Sequence, residues 1–133
     1  MASNRIVNDY AFHTSGAMVE NSWVKIADKW YYATDSGKIV RNRWERVGNV
    51  WYYFNQDGVM ASNVLVNDYL LNSSGAMAQN AWVKITDKWY YATDSGKILR
   101  NKWEKIKGTW YYFNSDGVMA INQWKDAYYL KNS

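Results

Sequence analysis

Tryptophan and tyrosine residues recur in this chain at fixed spacings that could build binding sites for a cation. The 133 residues include 9 Trp and 12 Tyr. A box of such rings presents electron-rich faces, which attract a quaternary ammonium group that cannot make hydrogen bonds. Exposed Trp and Tyr rings also stack on sugars, and composition alone does not separate these two ligand classes.

The aromatic residues belong to an internal repeat. Residues 9–61 return almost unchanged as residues 68–120, so that Trp23, Trp30, Trp44 and Trp51 are followed 59 positions later by Trp82, Trp89, Trp103 and Trp110. Each copy divides into three units of roughly twenty residues, a period typical of stacked supersecondary units that contact mainly their neighbours. The repeat therefore predicts an array without a single globular core.

The full unit has the pattern of a β-hairpin. Two strand-like runs, 44–47 and 50–54, flank Gly48-Asn49, which favours a two-residue primed turn. Equivalent loops are 27–28, 86–87 and 107–108. An Asp/Ser-Gly turn follows each hairpin, and an Asn that tolerates positive φ precedes each new strand: Asn21, Asn42, Asn63, Asn80, Asn101 and Asn122. Sustained helical periodicity is absent, so the sequence predicts an all-β chain.

The two-residue turn fixes the faces of the hairpin. With Gly48-Asn49 as the loop, Trp44 pairs with Tyr53 and Arg46 pairs with Trp51. These four side chains share one face, and Tyr52 lies on the other. The same arithmetic places Trp23, Lys25, Trp30 and Tyr32 together on hairpin 22–33. Each full unit therefore presents two Trp rings beside a basic stem on one face and a Tyr on the other.

Every third unit is modified in the same way. Leu65 and Asp68 replace the two Trp residues of the full unit, while Tyr69 keeps the middle aromatic position. Ile6, Asp9 and Tyr10 repeat this pattern, and Trp124, Ala127 and Tyr128 vary it. Such regularity predicts a superhelix with about three hairpins per turn.

Composition and charge exclude several classes of function. The net charge of +4 is spread along the repeats, which disfavours nucleic acid as a partner. Cysteine is absent, the first residues do not resemble a signal peptide, and no apolar run approaches transmembrane length, so membrane insertion is not expected. The single histidine, His13, has Asn72 at its place in the second copy, and no nucleophile–base pair can be named. We expect neither an enzyme nor a metal or cofactor site.

The motif Trp-x-Lys/Arg-x-x-x-x-Trp-Tyr-Tyr followed by x-x-Asp/Ser-Gly-x-Met resembles the choline-binding, or cell-wall-binding, repeat. The resemblance covers almost the whole chain and implies one domain, 1–133, that folds as a left-handed solenoid of hairpins. It implies binding of choline or phosphocholine on teichoic or lipoteichoic acid by a secreted surface protein of Gram-positive bacteria. Glucan-binding repeats share parts of the pattern, so a carbohydrate ligand is the alternative.

In this family, cages form between consecutive hairpins. The full units 22–42, 43–63, 81–101 and 102–122 supply Trp pairs, whereas the modified units 4–21, 64–80 and 123–133 supply a Tyr. The resemblance then implies four sites: cage A (Trp23, Trp30, Tyr52), cage B (Trp44, Trp51, Tyr69), cage C (Trp82, Trp89, Tyr111) and cage D (Trp103, Trp110, Tyr128). Met60 and Met119 are candidates for the cage lining, with gap-filling as the alternative. Junctions led by Ile6-Asp9 and Leu65-Asp68 are expected to be empty.

Overall fold

The computed structural model describes residues 4–121, 123–125 and 128–131, and in this part every strand pairs with its chain neighbour. The described residues form seven antiparallel hairpins and no helix, which confirms the all-β prediction. Hairpins 1 to 7, in chain order, pair β1 (Arg5–Val7) with β2 (Tyr10–Phe12), β3 (Ser22–Ile26) with β4 (Lys29–Ala33), β5 (Arg43–Val47) with β6 (Val50–Phe54), β7 (Val64–Val66) with β8 (Tyr69–Leu71), β9 (Ala81–Ile85) with β10 (Lys88–Ala92), β11 (Lys102–Ile106) with β12 (Thr109–Phe113), and β13 (Gln123–Lys125) with β14 (Tyr128–Leu130).

The hairpin loops have the predicted length and conformation. Gly48 and Asn49 both adopt positive φ, 58° and 66°, as a type I′ turn requires. Ala27 and Lys107 stand at the position of Gly48 with φ of 51° and 50°. The resulting register pairs Trp44 with Tyr53 and Arg46 with Trp51, which confirms the predicted faces.

The Asn and Gly residues between hairpins form backbone turns. Among the Asn residues that precede new strands, those at 21, 42, 63, 80 and 101 have positive φ, whereas Asn122 lies outside the described residues. In the turn after hairpin 3, Asn55 Oδ1 accepts hydrogen bonds from the N–H groups of Asp57 and Val59 at 2.9 and 3.0 Å. The turn then closes at Gly58, whose φ is 85°. These segments therefore form turns, as predicted.

Gly58 lies in the turn that follows hairpin 3, where the backbone adopts a left-handed conformation. A Cβ there would lie 2.9 Å from Ile39 Cδ1 and 3.4 Å from the Val40 carbonyl oxygen, with φ held at +85°. We expect Gly58→Ala to lower the free energy of unfolding by about 1–3 kcal/mol in urea titration.

Gly48→Ala is the matched control for Gly58→Ala. Nothing lies within 4 Å of a Cβ at Gly48, and Ala27 already adopts the same conformation at the equivalent position. We expect its cost to stay within about 1 kcal/mol. Equal losses for the two variants would contradict this explanation of Gly58.

The chain divides into two compact units, Met1–Ser62 and Asn63–Ser133. In each unit a buried aliphatic cluster lies between the first two hairpins, and the two clusters are copies of each other at the repeat offset. The first contains Ala11, Val19, Val24, Ala33 and Ile39, and the second contains Leu70, Ala78, Val83, Ala92 and Ile98. Burial is therefore distributed along the array, as expected for stacked units.

Backbone hydrogen bonds fix hairpins 1, 2, 4 and 5 to the turn that follows the next hairpin. The Trp30 carbonyl accepts from the Met60 N–H at 2.8 Å, and the Trp89 carbonyl accepts from the Met119 N–H at the same distance. Asp9 replaces Trp30 in this role one unit earlier, with the Ile39 N–H at 2.9 Å. The backbone of the second Trp is thus held firmly beside the following hairpin.

The left-handed superhelix and its three hairpins per turn stay a prediction, as do the boundaries of the individual repeat units. Ala127 and the side chain of Trp124, which the sequence assigns to the last modified unit, lie outside the described residues. Within the described part of the chain, no helix has the length and apolar character needed to cross a membrane.

Candidate functional site

Cage A forms where hairpin 2 meets hairpin 3 within the first unit. Trp23 on β3 and Trp30 on β4 lie on one face of hairpin 2, with ring centroids 6.2 Å apart and planes at 89°. Tyr52 on β6 faces them from hairpin 3, and its ring lies 4.8 Å from that of Trp23. Trp23 therefore contacts Trp30 and Tyr52 at interplanar angles of 89° and 78°, which brings the three predicted rings together at this junction.

Cage C repeats this geometry in the second unit. The centroids of Trp82 and Trp89 are 6.3 Å apart with planes at 88°, and Tyr111 lies 4.9 Å from Trp82. The same three rings thus come together in both copies, with ring separations that differ by only about a tenth of an ångström from cage A. The two clusters share this geometry because both have the same strand register and the same backbone hydrogen bond between the second Trp and the turn after the next hairpin.

The two Trp residues of a cage have different surroundings. Trp82 is half-buried and also contacts Tyr91 at 5.2 Å and the fully buried Phe113 at 5.8 Å. Trp89 is 40% exposed. We call Trp23 and Trp82 inner tryptophans, and Trp30 and Trp89 outer tryptophans. The inner ring therefore packs on the core, whereas the outer ring remains accessible to solvent.

The supporting rings Phe54 and Phe113 were not among the predicted site residues. Phe54 lies 5.6 Å from Trp23, as Phe113 does at 5.8 Å from Trp82. A signal was available, because alternation along β6 puts Phe54 on the same face as Tyr52. These residues position the inner tryptophan and have no exposed surface.

Cage D is wider and more open than cages A and C. Tyr128 lies 5.7 Å from Trp103, and the predicted triad lines a cavity of about 650 Å³ together with Tyr129 and Leu130. Trp110 and Tyr128 are 57% and 67% exposed. All three predicted residues therefore border the same cavity.

The predicted members of cage B belong to different units. Trp44 and Trp51 lie in the first unit and Tyr69 in the second. Within its own hairpin, Trp44 contacts Tyr53 at 5.4 Å, and the Trp51 ring is 40% exposed as in the outer tryptophans. Cage B stays a prediction.

The junctions led by the modified hairpins are filled by aliphatic side chains. Tyr31 and Ile6 pack on the buried cluster between hairpins 1 and 2, and Tyr90 and Leu65 do the same between hairpins 4 and 5. Ile6 and Leu65 stand at the inner position, where a full hairpin carries a tryptophan. That these junctions hold no ligand stays a prediction.

An ion pair stands where a modified hairpin lacks its outer tryptophan. Asp68 accepts from the Arg100 guanidinium at 2.7 Å, and Arg100 also donates to the Ser115 carbonyl at 2.8 Å. Asp9 and Arg41 form the equivalent pair at 2.9 Å. No sequence pattern predicted this contact, whose partners are 32 residues apart.

The two methionines named as cage candidates differ in burial. Met119 is buried in a cluster with Leu99 and Phe113, against which Trp82 and Tyr111 pack. This position supports gap-filling for Met119. Met60 is half-buried and retains a partly exposed side chain.

Family comparison places the repeats in a known class. A family model described as a putative cell wall binding repeat matches residues 21–39, 80–98 and 101–119. A model described as a choline-binding repeat matches residues 44–82. The chain belongs to the choline-binding repeat family. No curated protein sequence matches it significantly.

Solved structures of Streptococcus pneumoniae proteins share the fold of these choline-binding repeats. The modular autolysin LytC, in complex with a synthetic peptidoglycan ligand, is 34% identical with a TM-score of 0.83 over 95% of this chain and 30% of its own. Choline binding protein F is 30% identical with a TM-score of 0.70, covering 98% of this chain and 46% of its own.

The choline-binding domain of CbpL from the same organism is 28% identical with a TM-score of 0.64 over 98% of this chain and 84% of that chain. This chain therefore spans 30% of the length of LytC but 84% of the length of the choline-binding domain of CbpL. Its aromatic clusters between consecutive hairpins fit the binding of a choline-containing cell wall.

Proposed function

We propose that this chain is a non-catalytic module that attaches a bacterial surface protein to the cell wall by binding choline or phosphocholine of teichoic or lipoteichoic acid. The observation that carries the proposal is the recurrence of the three-ring junction in cages A and C. A trimethylammonium group lying among three ring faces gains cation–π attraction from each of them. It also buries methyl groups against apolar surface.

The comparisons support a wall-directed ligand. LytC was solved with a synthetic peptidoglycan ligand, and choline binding protein F in the presence of a peptidoglycan analogue. Because this chain spans 30% of LytC, the activity and targets of a parent protein are proposals as well. Attachment outside the cell, and therefore secretion, follows from a wall ligand.

Binding rather than catalysis is the role that the described residues favour. Choline-binding repeat modules are typically non-catalytic. His13 is exposed in the segment after β2. Among the described residues, no three His, Cys, Asp or Glu side chains come together as a metal would need. We propose that neither a metal nor a cofactor takes part.

Several weak sites on one chain would give strong attachment to a polymer. Each cage offers ring faces without an ion pair to the cation, so a single site should bind choline weakly. A wall polymer carries many choline groups, and engagement of a second site becomes intramolecular once the first is bound. The proposal therefore predicts avid binding to the wall and weak binding to free choline.

The decisive measurement is retention on a resin that carries a choline analogue, followed by elution with free choline. We expect the chain to be retained through a wash at high salt, because the cages hold the cation by ring faces and not by surface charge. Retention on dextran with none on the choline resin would overturn the proposal and support a glucan-binding module.

A further inference from the structure

A lysine ammonium borders the outer tryptophan of cages A and C. Lys25 pairs with Trp30 across hairpin 2, and its Nζ lies 5.7 Å from the Trp30 ring centroid. Lys84 pairs with Trp89 in the same way, with Nζ 5.9 Å from the ring centroid. Both lysines are exposed. The contact is therefore a repeated feature of the two cages.

This position has an electrostatic consequence for a bound cation. A quaternary ammonium resting on the same ring would lie within a few ångströms of a like charge, and like charges at such separations repel. The repulsion opposes a ligand that carries only a positive charge. A ligand with a neighbouring negative charge turns the same lysine into an attractive partner.

Phosphocholine has the required arrangement of charges. Two carbons and one ester oxygen separate its quaternary nitrogen from its phosphorus, so an anion accompanies the cation at the edge of the cage. A lysine ammonium is a compact cation with three rotatable donors and a common partner of phosphate. The long flexible stems of Lys25 and Lys84 let the ammonium follow the phosphate while the rings hold the methyl groups.

We propose that Lys25 and Lys84 bind the phosphate of a choline phosphate ester whose trimethylammonium group occupies the adjacent cage, so that cages A and C select the ester over free choline. This inference rests on the proposed function. In this arrangement the lysines bind the negatively charged phosphate, and the aromatic rings bind the positively charged trimethylammonium group.

The test compares choline and phosphocholine on the wild-type chain and on the double variant Lys25→Met, Lys84→Met. Methionine keeps much of the apolar stem and removes the charge. The indole N–H resonances of Trp30 and Trp89 report the two cages separately during NMR titrations. We expect wild-type cages A and C to bind phosphocholine about twofold to fivefold more tightly than choline, with the preference falling as salt is added.

In the double variant we expect opposite changes for the two ligands. Phosphocholine should weaken and free choline should tighten slightly, which brings the ratio of their dissociation constants close to one. An unchanged ratio, or no preference in the wild-type chain, would overturn the phosphate contact while leaving cation binding in place. Failure of both ligands to bind the wild-type chain would overturn the proposed function itself.

The double variant Lys29→Met, Lys88→Met is the matched control. These lysines are sequence neighbours of the outer tryptophans and pair with Ile26 and Ile85 on the opposite face of each hairpin. Removing them changes the net charge equally, and we expect the ligand preference to persist. Loss of the preference in this control as well would assign it to overall charge and overturn the local contact.

The ester could come from a wall polymer or from a lipid headgroup. Retention on choline-substituted teichoic acid that weakens in Lys25→Met, Lys84→Met supports the contact on the polymer. Co-sedimentation with phosphatidylcholine vesicles that weakens in the same variant supports it on a lipid. If the wild-type chain and the double variant bind equally to the teichoic acid and equally to the vesicles, the proposed lysine–phosphate contact is overturned.

Discussion

Replacing Trp82 by alanine is expected to lower the free energy of unfolding by about 2–4 kcal/mol and to abolish cation binding at cage C. This inner tryptophan contacts Tyr91, Tyr111 and the fully buried Phe113 with ring centroids 4.9–5.8 Å apart. Truncation removes a large apolar surface and leaves a cavity between hairpins 5 and 6. Urea unfolding followed by tyrosine fluorescence and circular dichroism measures the loss.

Trp82→Phe is the control that separates packing from ring count. A phenyl ring restores part of the contact with Phe113, so we expect it to recover at least half of the lost stability. A Trp82→Ala chain as stable as the wild type would show that the inner tryptophan is only a ligand wall. That outcome would contradict the division into inner and outer rings.

The sequence was sufficient to predict the hairpins and the pairs of tryptophans that share a hairpin face. A two-residue loop fixes cross-strand register, and register fixes which rings share a face. The register therefore places Trp23 and Trp30 on one face, where their ring centroids lie 6.2 Å apart. The contact of these tryptophans with Tyr52 was predicted from the family resemblance, because strand register predicts which side chains share a face only within one hairpin.

What the sequence could not supply was the environment of each ring. Both tryptophans of a hairpin occupy the same motif, yet one packs on Phe54 or Phe113 while the other remains about two-fifths exposed. The difference depends on the rotation between consecutive hairpins, which is set by packing and not by local pattern. The Asp68–Arg100 pair was missed for the same reason, since its partners are 32 residues apart.

The modified units keep the hairpin fold without the two tryptophans of the full unit. Leu65 replaces the inner ring with an aliphatic group that enters the buried cluster. Asp68 keeps the backbone carbonyl that bonds the Ile98 N–H, while its carboxylate holds an internal guanidinium in place of an outer ring. The junction retains its backbone connection and its core, but it lacks the two tryptophan rings that we propose hold a cation.

Replacing the outer Trp89 by alanine is expected to weaken choline binding at cage C about tenfold or more with little effect on folding. The ring is 40% exposed, so its removal should cost about 1 kcal/mol of stability or less. Cages A and D share no side chain with it and should bind as before. Titration followed by the indole N–H resonances of Trp30 and Trp110 measures this independence.

A crystal of Trp89→Ala soaked in choline tests the same assignment at every described junction. We expect bound choline in cages A and D, none in cage C, and none beside Leu65 between hairpins 4 and 5. Trp89→Phe should restore part of the binding, because a smaller ring face still attracts the cation. Choline beside Leu65 in either crystal, or undiminished binding in cage C, would contradict the view that each site needs an outer ring.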